Sequence, residues 1–338
     1  MFFYKKYSEH KQPYKFFSPI NSIQRKLYVS LSPHSNSIDA LSILELSNKK
    51  IVTGSSIGTI TINTINYSTG TWSQHSKIEK AHNSGITSLI EITNNRLVSS
   101  SFDTTIKIWN YFFIHELKLI DKLEVHYGSI NKVIPLTNNR FISCSYEENK
   151  IKLWNYTNTS YDLIPCSFEK QLMLPNTFVQ LKKQKEVIAI SCLINCLCFY
   201  SLVNPYKKLG DVKGVCDNHR NGLIELTNGN IAVSKDDPPC IIIVDPVKFE
   251  RIICISDNKY ILGCGALCKL NDGSFLYAYR ESLIQIAFWF KKFDVVFRTL
   301  SVEKGMFGNC GLILVNNGKG FVCDHAEEGI NMFEVKKI

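Results

Sequence analysis

Twelve cysteines are the first residues of this chain that could do chemistry. Three crowd into "SCLINCLCFY" as Cys192, Cys196 and Cys198, and two more sit in "CGALC" as Cys264 and Cys268. Thiolates are zinc ligands, and a structural zinc site draws four donors, commonly from closely spaced pairs. The gaps in "CLINC" and "CGALC" are both permitted. The two segments nevertheless lie far apart on apolar stretches with no histidine pair beside them. Buried cysteine behaves as a small hydrophobe, so no metal and no cofactor is expected. On an extended segment Cys196 and Cys198 would point to the same side. Many cysteines, with no apolar leader in "MFFYKKYSEHKQPYKFF", predict free thiols in a reducing, cytoplasmic setting. Other catalytic patterns fail: there is no Gly-rich phosphate loop, no H-E-x-x-H and no G-x-S-x-G.

The elements that carry these residues are announced by repetition. "ITNNRLVSSSFDTTIKIWNY" starts at Ile92 and "LTNNRFISCSYEENKIKLWNY" at Leu136. The pattern is longer than two copies. Polar turns read "SNKK", "TNNR", "TNNR", "KKQK", "TNGN", "NDGS" and "NNGK", and the apolar residues after them are Ile51, Leu97, Phe141, Val187, Ile231, Phe275 and Phe321. The gaps are 46, 44, 46, 44, 44 and 46 residues. Before the turns stand "LEL", "IEI", "IPL", "VQL", "IEL", "CKL" and "ILV", whose two-residue alternation is that of a strand. A second strand follows each turn ("RLVSSS", "RFISCS", "NIAVS"), then a third ("TIKIWN", "KIKLWN", "CIIIVD", "INMFEV"). Segments such as "HELKLIDKLE" and "VVFRTLSV" leave room for a fourth. Asn, Gly, Asp and Ser in the connections suit hairpins. Four short strands every 45 residues or so match the period of a β-propeller blade.

"LVSSSFDTTIKIWN" with "AHNSGI" upstream resembles a WD repeat, and "FISCSYEENKIKLWN" with "VHYGSI" resembles a second. Both carry Trp-Asn where that family usually has Trp-Asp. The other copies are degenerate there: Asn63-Thr64, Phe199-Tyr200, Val244-Asp245, no clear match in the sixth, and Phe333-Glu334. The last repeat ends without a fourth strand, while "IQRKLYVSLS" (Ile23 to Ser32) stands unused before the first. Propellers of this family close by letting an N-terminal strand complete the last blade, which removes exposed sheet edges. The resemblance therefore implies an all-β, seven-bladed β-propeller of four-stranded antiparallel blades. One domain would span 22–338, behind an aromatic and basic extension at 1–21.

In the family a His, a Ser, an acid and the Trp form a hydrogen-bonded chain within a blade. By position these are His82, Ser99, Asp103 and Trp109, and, in the next copy, His126, Ser143, Glu147 (or Glu148, because that turn has one extra residue) and Trp154. Ser, His and acid also make a hydrolase triad. Here the indole needs the Ser oxygen as acceptor, and no oxyanion-hole loop accompanies them, so the set reads as structural. "SFDTTIKIW" is only superficially like the S-x-D-x-G-x-T-W turn of sialidase-like propellers, with Thr105 in place of the glycine. The resemblance also places partner contacts just before the turn acid, at Phe102 and Tyr146, with Arg280 and His325 at or beside the same place in later repeats.

The implied function is a non-catalytic scaffold that binds protein partners within a larger assembly. The alternative rests on a net charge of +9 and on four lysines among the aromatics of residues 1–21: RNA or an anionic membrane could be the partner. No run of apolar residues reaches transmembrane length.

Overall fold

The computed structural model describes residues 20–22 and residues 40–256 apart from 67–70, 93–94, 112–116, 125, 146, 157–160, 165–174, 185, 193–194, 205, 217–221 and 236–237. It also describes 266–270, 274–279, 282–289, 294–301, 307–315, 320–325, 329–334 and 336–337. Among the described residues every regular element is a strand. After the short β1 (Ile20–Ser22), the first sheet holds β2 (Ala40–Glu45), β3 (Ile51–Ser55), β4 (Ile60–Asn66) and β5 (Thr71–Ile78). The second holds β6 (Ile86–Ile92), β7 (Arg96–Ser101), β8 (Ile106–Asn110) and β9 (Lys118–Leu123), and the third β10 (Lys132–Pro135), β11 (Arg140–Ser145), β12 (Lys150–Tyr156) and β13 (Tyr161–Ile164). β14 (Pro175–Gln180), β15 (Val187–Cys192), β16 (Cys196–Ser201) and β17 (Lys208–Lys213) make the fourth. β18 (Leu223–Glu225), β19 (Ile231–Lys235), β20 (Cys240–Asp245) and β21 (Glu250–Ile255) make the fifth. β22 (Ala266–Lys269), β23 (Phe275–Tyr279), β24 (Ser282–Trp289) and β25 (Asp294–Ser301) make the sixth. The seventh has three strands, β26 (Phe307–Val315), β27 (Gly320–His325) and β28 (Gly329–Glu334), and β29 (Lys336–Lys337) pairs antiparallel with β1. The expected closing strand, Ile23 to Ser32, lies outside the described residues.

Local chemistry explains the hairpins. Lys49, Asn95, Asn139 and Gly229 all take positive φ, each two residues before the first core residue of the following strand. Only asparagine and glycine do so at little cost. The flanking apolar residue closes each turn through its own amide: Leu46 N donates to Lys50 O, Leu136 N to Arg140 O and Leu226 N to Asn230 O.

The fourth turn departs from the sequence reading. Leu181 N donates to Val187 O, so Val187 stands where Arg140 stands, and Ile188 is the true counterpart of Phe141. The turn is two residues longer than its neighbours. Because side chains alternate, a one-residue error moves a residue to the other face. Ile188 pairs with Tyr200, so Tyr200, not Phe199, occupies the place of the tryptophan. With that shift, one register runs through all seven sheets: Ile51 faces Asn63, Leu97 Trp109, Phe141 Trp154, Ile188 Tyr200, Ile231 Val244, Phe275 Ile286 and Phe321 Phe333.

The inner strands are buried on both faces, whereas the outer strand β9 is largely exposed. Its Lys118, Asp121 and Lys122 suit a solvated edge. The apolar cores lie between sheets. Val52 and Ile60 meet Leu97 and Trp109; Val98 and Ile108 meet Phe141 and Trp154; Ile142 and Leu153 meet Ile190 and Tyr200. Phe199 meets Val244, and Ile243 meets Phe275. The first strands stand side by side: β2 against β6, β6 against β10, β10 against β14, β14 against β18, β18 against β22, β22 against β26, and β26 against β2.

Polar side chains tie neighbouring sheets together. Ser42 Oγ donates to Ile86 O and Ser88 Oγ to Val133 O, both at 3.0 Å. In three sheets a residue at the end of the first strand caps the turn of the sheet before it. Glu91 accepts from Ser47 N at 2.8 Å, Gln180 Oε1 from Thr137 N at 3.1 Å, and Glu225 from Lys182 N and Lys183 N at 2.7 and 3.2 Å.

Candidate functional site

The residues most like a catalytic set lie inside the second sheet. His82 arrives on the loop before β6, Ser99 sits within β7, Asp103 in the turn after it and Trp109 on β8. Trp109 Nε1 donates to Ser99 Oγ at 2.8 Å, and Ser99 Oγ lies 2.7 Å from His82 Nε2. His82 Nδ1 lies 3.0 Å from Asp103 Oδ2. The carboxylate also accepts from Asn83 N and from the amide and hydroxyl of Thr105. Burial alone would raise the Asp103 carboxyl, but the hydrogen bonds from His82, Thr105 and Asn83 hold it well below the usual carboxylate range. Burial keeps His82 below its ordinary value despite the acid beside it, so the ring is neutral near pH 7.

That fixes the direction of every proton. The neutral imidazole donates from Nδ1 to Asp103 and accepts at Nε2 from the Ser99 hydroxyl, whose oxygen accepts from the indole. A serine in such a chain is no nucleophile. Its oxygen is committed to Trp109 and it is fully buried, so no substrate carbonyl reaches it. Chemically the arrangement satisfies four buried polar groups and locks a turn to a strand.

The third sheet repeats the indole–serine–histidine part of the chain, with a correction at the acid. Trp154 Nε1 donates to Ser143 Oγ at 2.9 Å, and Ser143 Oγ lies 2.8 Å from His126 Nε2. The acid beside His126 is Glu148, 3.4 Å from Nδ1, and not Glu147. Glu147 instead accepts from Ser129 N at 2.9 Å on the exposed side of the turn. Asn149 takes the positive φ that Thr104 takes after Asp103, so the extra residue lies before Glu148 and leaves it in the place of Asp103, where it also accepts from Gly128 N. Burial, together with the Lys152 charge, lowers His126 to about 4. In the fourth to sixth sheets Ile190, Val233 and Tyr277 fill the place of the serine, so serine and tryptophan disappear together.

The expected partner positions are only partly described. Phe102 is half-buried in the β7–β8 turn, its amide bonded to Gly85 O and its carbonyl accepting from Ser129 Oγ. Tyr146 and Arg280 lie outside the described residues, and His325 ends β27, its side chain undescribed. Sequence reasoning missed Tyr127, which is 90% exposed on the same edge, with Lys152 Nζ 5.9 Å from its ring centre. Its position directly after His126, in "VHYGSI", was the available signal. Ile57, 54% exposed, lies in the β3–β4 turn of that edge. Elsewhere a cleft of about 500 Å³ lies between the first three sheets, lined by Ser47, Glu91, Asn95, Tyr111 and Leu136. Among the described residues one group could hold a metal: Cys196, Cys198 and Asp211.

Comparison with curated proteins finds no match. A family model does match: the WD domain, G-beta repeat, over residues 72–110. This segment begins in β5 and ends with β8, so it takes in His82, Ser99, Asp103 and Trp109. WD repeats are typically non-catalytic and generally mediate protein interactions. Among the described residues no helix is long and apolar enough to cross a membrane. The segment that holds the His-Ser-Asp-Trp chain, residues 72–110, is thus similar to a WD repeat of the G-beta type.

Proposed function

We propose that this chain is a non-catalytic WD-repeat scaffold, in which residues 22–338 form one seven-bladed propeller behind an extension at 1–21. The side-by-side order of the first strands, which returns from β26 to β2, supports a ring of seven blades. The pairing of β1 with β29 supports closure through the chain ends. The observation that carries the non-catalytic reading is the state of Ser99 and Ser143: both are buried and hydrogen-bonded by tryptophan, so these sets hold blades rigid instead of attacking a substrate. A reducing cytoplasm remains part of this proposal.

Partner binding belongs on the edge where the second-to-third strand turns emerge. Ile57, Phe102 and Tyr127 gather apolar and aromatic surface there, and exposed aromatics on a rigid frame are favoured binding anchors. The test is affinity purification from native cells with Phe102→Ala/Tyr127→Ala beside the wild type. Loss of co-purifying proteins is expected. Quantitative retention overturns this edge as the site. Capture of RNA or anionic vesicles, with binding that falls steeply as salt rises, would instead support the alternative partner class.

A further inference from the structure

The fourth sheet holds a group of side chains that the scaffold reading leaves unused. Cys196 and Cys198 lie on one face of β16, both buried, and point into the gap between the third and fourth sheets. Asp211 pairs directly with Cys198 from the outer strand β17. The two sulfurs are 3.6 Å apart, Cys196 Sγ is 3.6 Å from Asp211 Oδ2, and the three donor atoms lie within 4.8 Å of one another. Cys192, across from Cys196 on β15, hydrogen-bonds with Cys198.

We infer that Cys196, Cys198 and Asp211 form a binding site for a thiophilic divalent metal ion of the zinc class. The distances suit it. Metal–sulfur bonds of about 2.3 Å and a metal–oxygen bond of about 2.1 Å in a tetrahedron set sulfur–sulfur edges of about 3.8 Å and sulfur–oxygen edges of about 3.6 Å. Asp211 Oδ2 accepts from the Cys196 thiol and pairs with Lys208, so the carboxylate is already turned toward the sulfurs. Two soft donors exclude magnesium and calcium, which take oxygen ligands.

The charges also balance. On binding, each of the two thiols releases its proton to solvent, two metal–sulfur bonds and one metal–oxygen bond form, and nothing is oxidised. Two thiolates and a carboxylate bring three negative charges, the ion supplies two positive, and Lys208, 3.1 Å from Asp211, supplies the third. Without metal the thiols are poor nucleophiles. Its hydrogen bond with Cys198, with burial, pushes Cys196 far above an ordinary thiol, and the hydrogen bond with Cys192 pushes Cys198 up to about 12. Asp211 is partly exposed, so the ion has a way in from the outer strand. Bound there, it would pin the edge strand to β16.

The experiment uses the full chain, stripped with chelator under reductant and titrated with Zn²⁺ alone, then with Cd²⁺ to read thiolate–metal absorption. One equivalent bound, with cadmium–thiolate absorption, is expected. The Cys196→Ser/Cys198→Ser variant should lose it, and Cys240→Ser, in a separate core, should keep it. Asp211→Asn alters a partly exposed edge residue and guards against misfolding of the double variant; it should weaken binding while circular dichroism stays unchanged. The inference is overturned if the wild type takes up no stoichiometric metal, or if the double variant binds it as well as the wild type.

Discussion

Replacing Ser99 by Ala tests the hydrogen-bond chain most directly. The substitution removes one oxygen, yet two buried groups lose their partner: the Trp109 indole N–H, which donates at 2.8 Å, and His82 Nε2, which accepts at 2.7 Å. Both side chains are almost completely buried, and β7 leaves no room for water at a fully enclosed position. Each orphaned group costs about 1–3 kcal/mol, so the variant should lose about 2–6 kcal/mol. Equilibrium urea unfolding, followed by tryptophan fluorescence and circular dichroism together, measures this. The companion is Trp109→Phe, which removes the donor while keeping an aromatic ring. In that background Ser99→Ala orphans only His82, so its cost should fall by about 1–3 kcal/mol. Equal costs in the two backgrounds would refute the shared bond. A Ser99→Ala variant as stable as the wild type would refute the whole chain and return Ser99 to candidacy as a nucleophile.

Three further outcomes are expected. The folded state holds His126 neutral with its value lowered from 6.5 to about 4, so its contribution is complete above pH 6.5 and is lost as pH falls. Over that interval unfolding free energy should drop by about 3 kcal/mol from this residue, and His126→Gln should flatten that part of the stability–pH curve. Gly58→Ala should destabilise by at least about 2 kcal/mol in the same unfolding assay, because Gly58 sits at φ +81 and a Cβ there would lie 2.2 Å from His82 O. Glu225→Ala, which uncaps the amides of Lys182 and Lys183, should cost about 1–3 kcal/mol, and Glu225→Gln, which keeps an acceptor, should cost less by calorimetry.

Periodicity was legible because burial enforces it. Ile51, Leu97, Phe141, Ile231, Phe275 and Phe321 all fall on second strands opposite the tryptophan place, and "CIIIVD" is β20 residue for residue. Turn length was the weak link. The lengthened "KKQK" turn displaced Val187 and Phe199 by one residue, and the extra residue before Lys150 hid which glutamate turns inward. Both depend on where in the turn the added residues are accommodated, which composition does not encode. Contacts between strands distant in sequence were least legible. Cys196 and Cys198 shared a face on inspection, but Asp211 joined them only through the β16–β17 register. Glu91, Gln180 and Glu225 stood in plain view as the centres of "IEI", "VQL" and "IEL", yet their partners are 42 to 44 residues upstream.

Those carboxylate and amide caps bear on how the chain matures as it is made. A turn such as Lys182–Lys183 exposes two amides that stay unsatisfied until Glu225, some 43 residues later, has been synthesised. At ribosomal speeds that interval lasts seconds, so the fourth unit waits, half-finished, for the fifth to clear the exit tunnel. A stall between the synthesis of Lys183 and Glu225 would then leave that turn uncapped and open to chaperones or proteases.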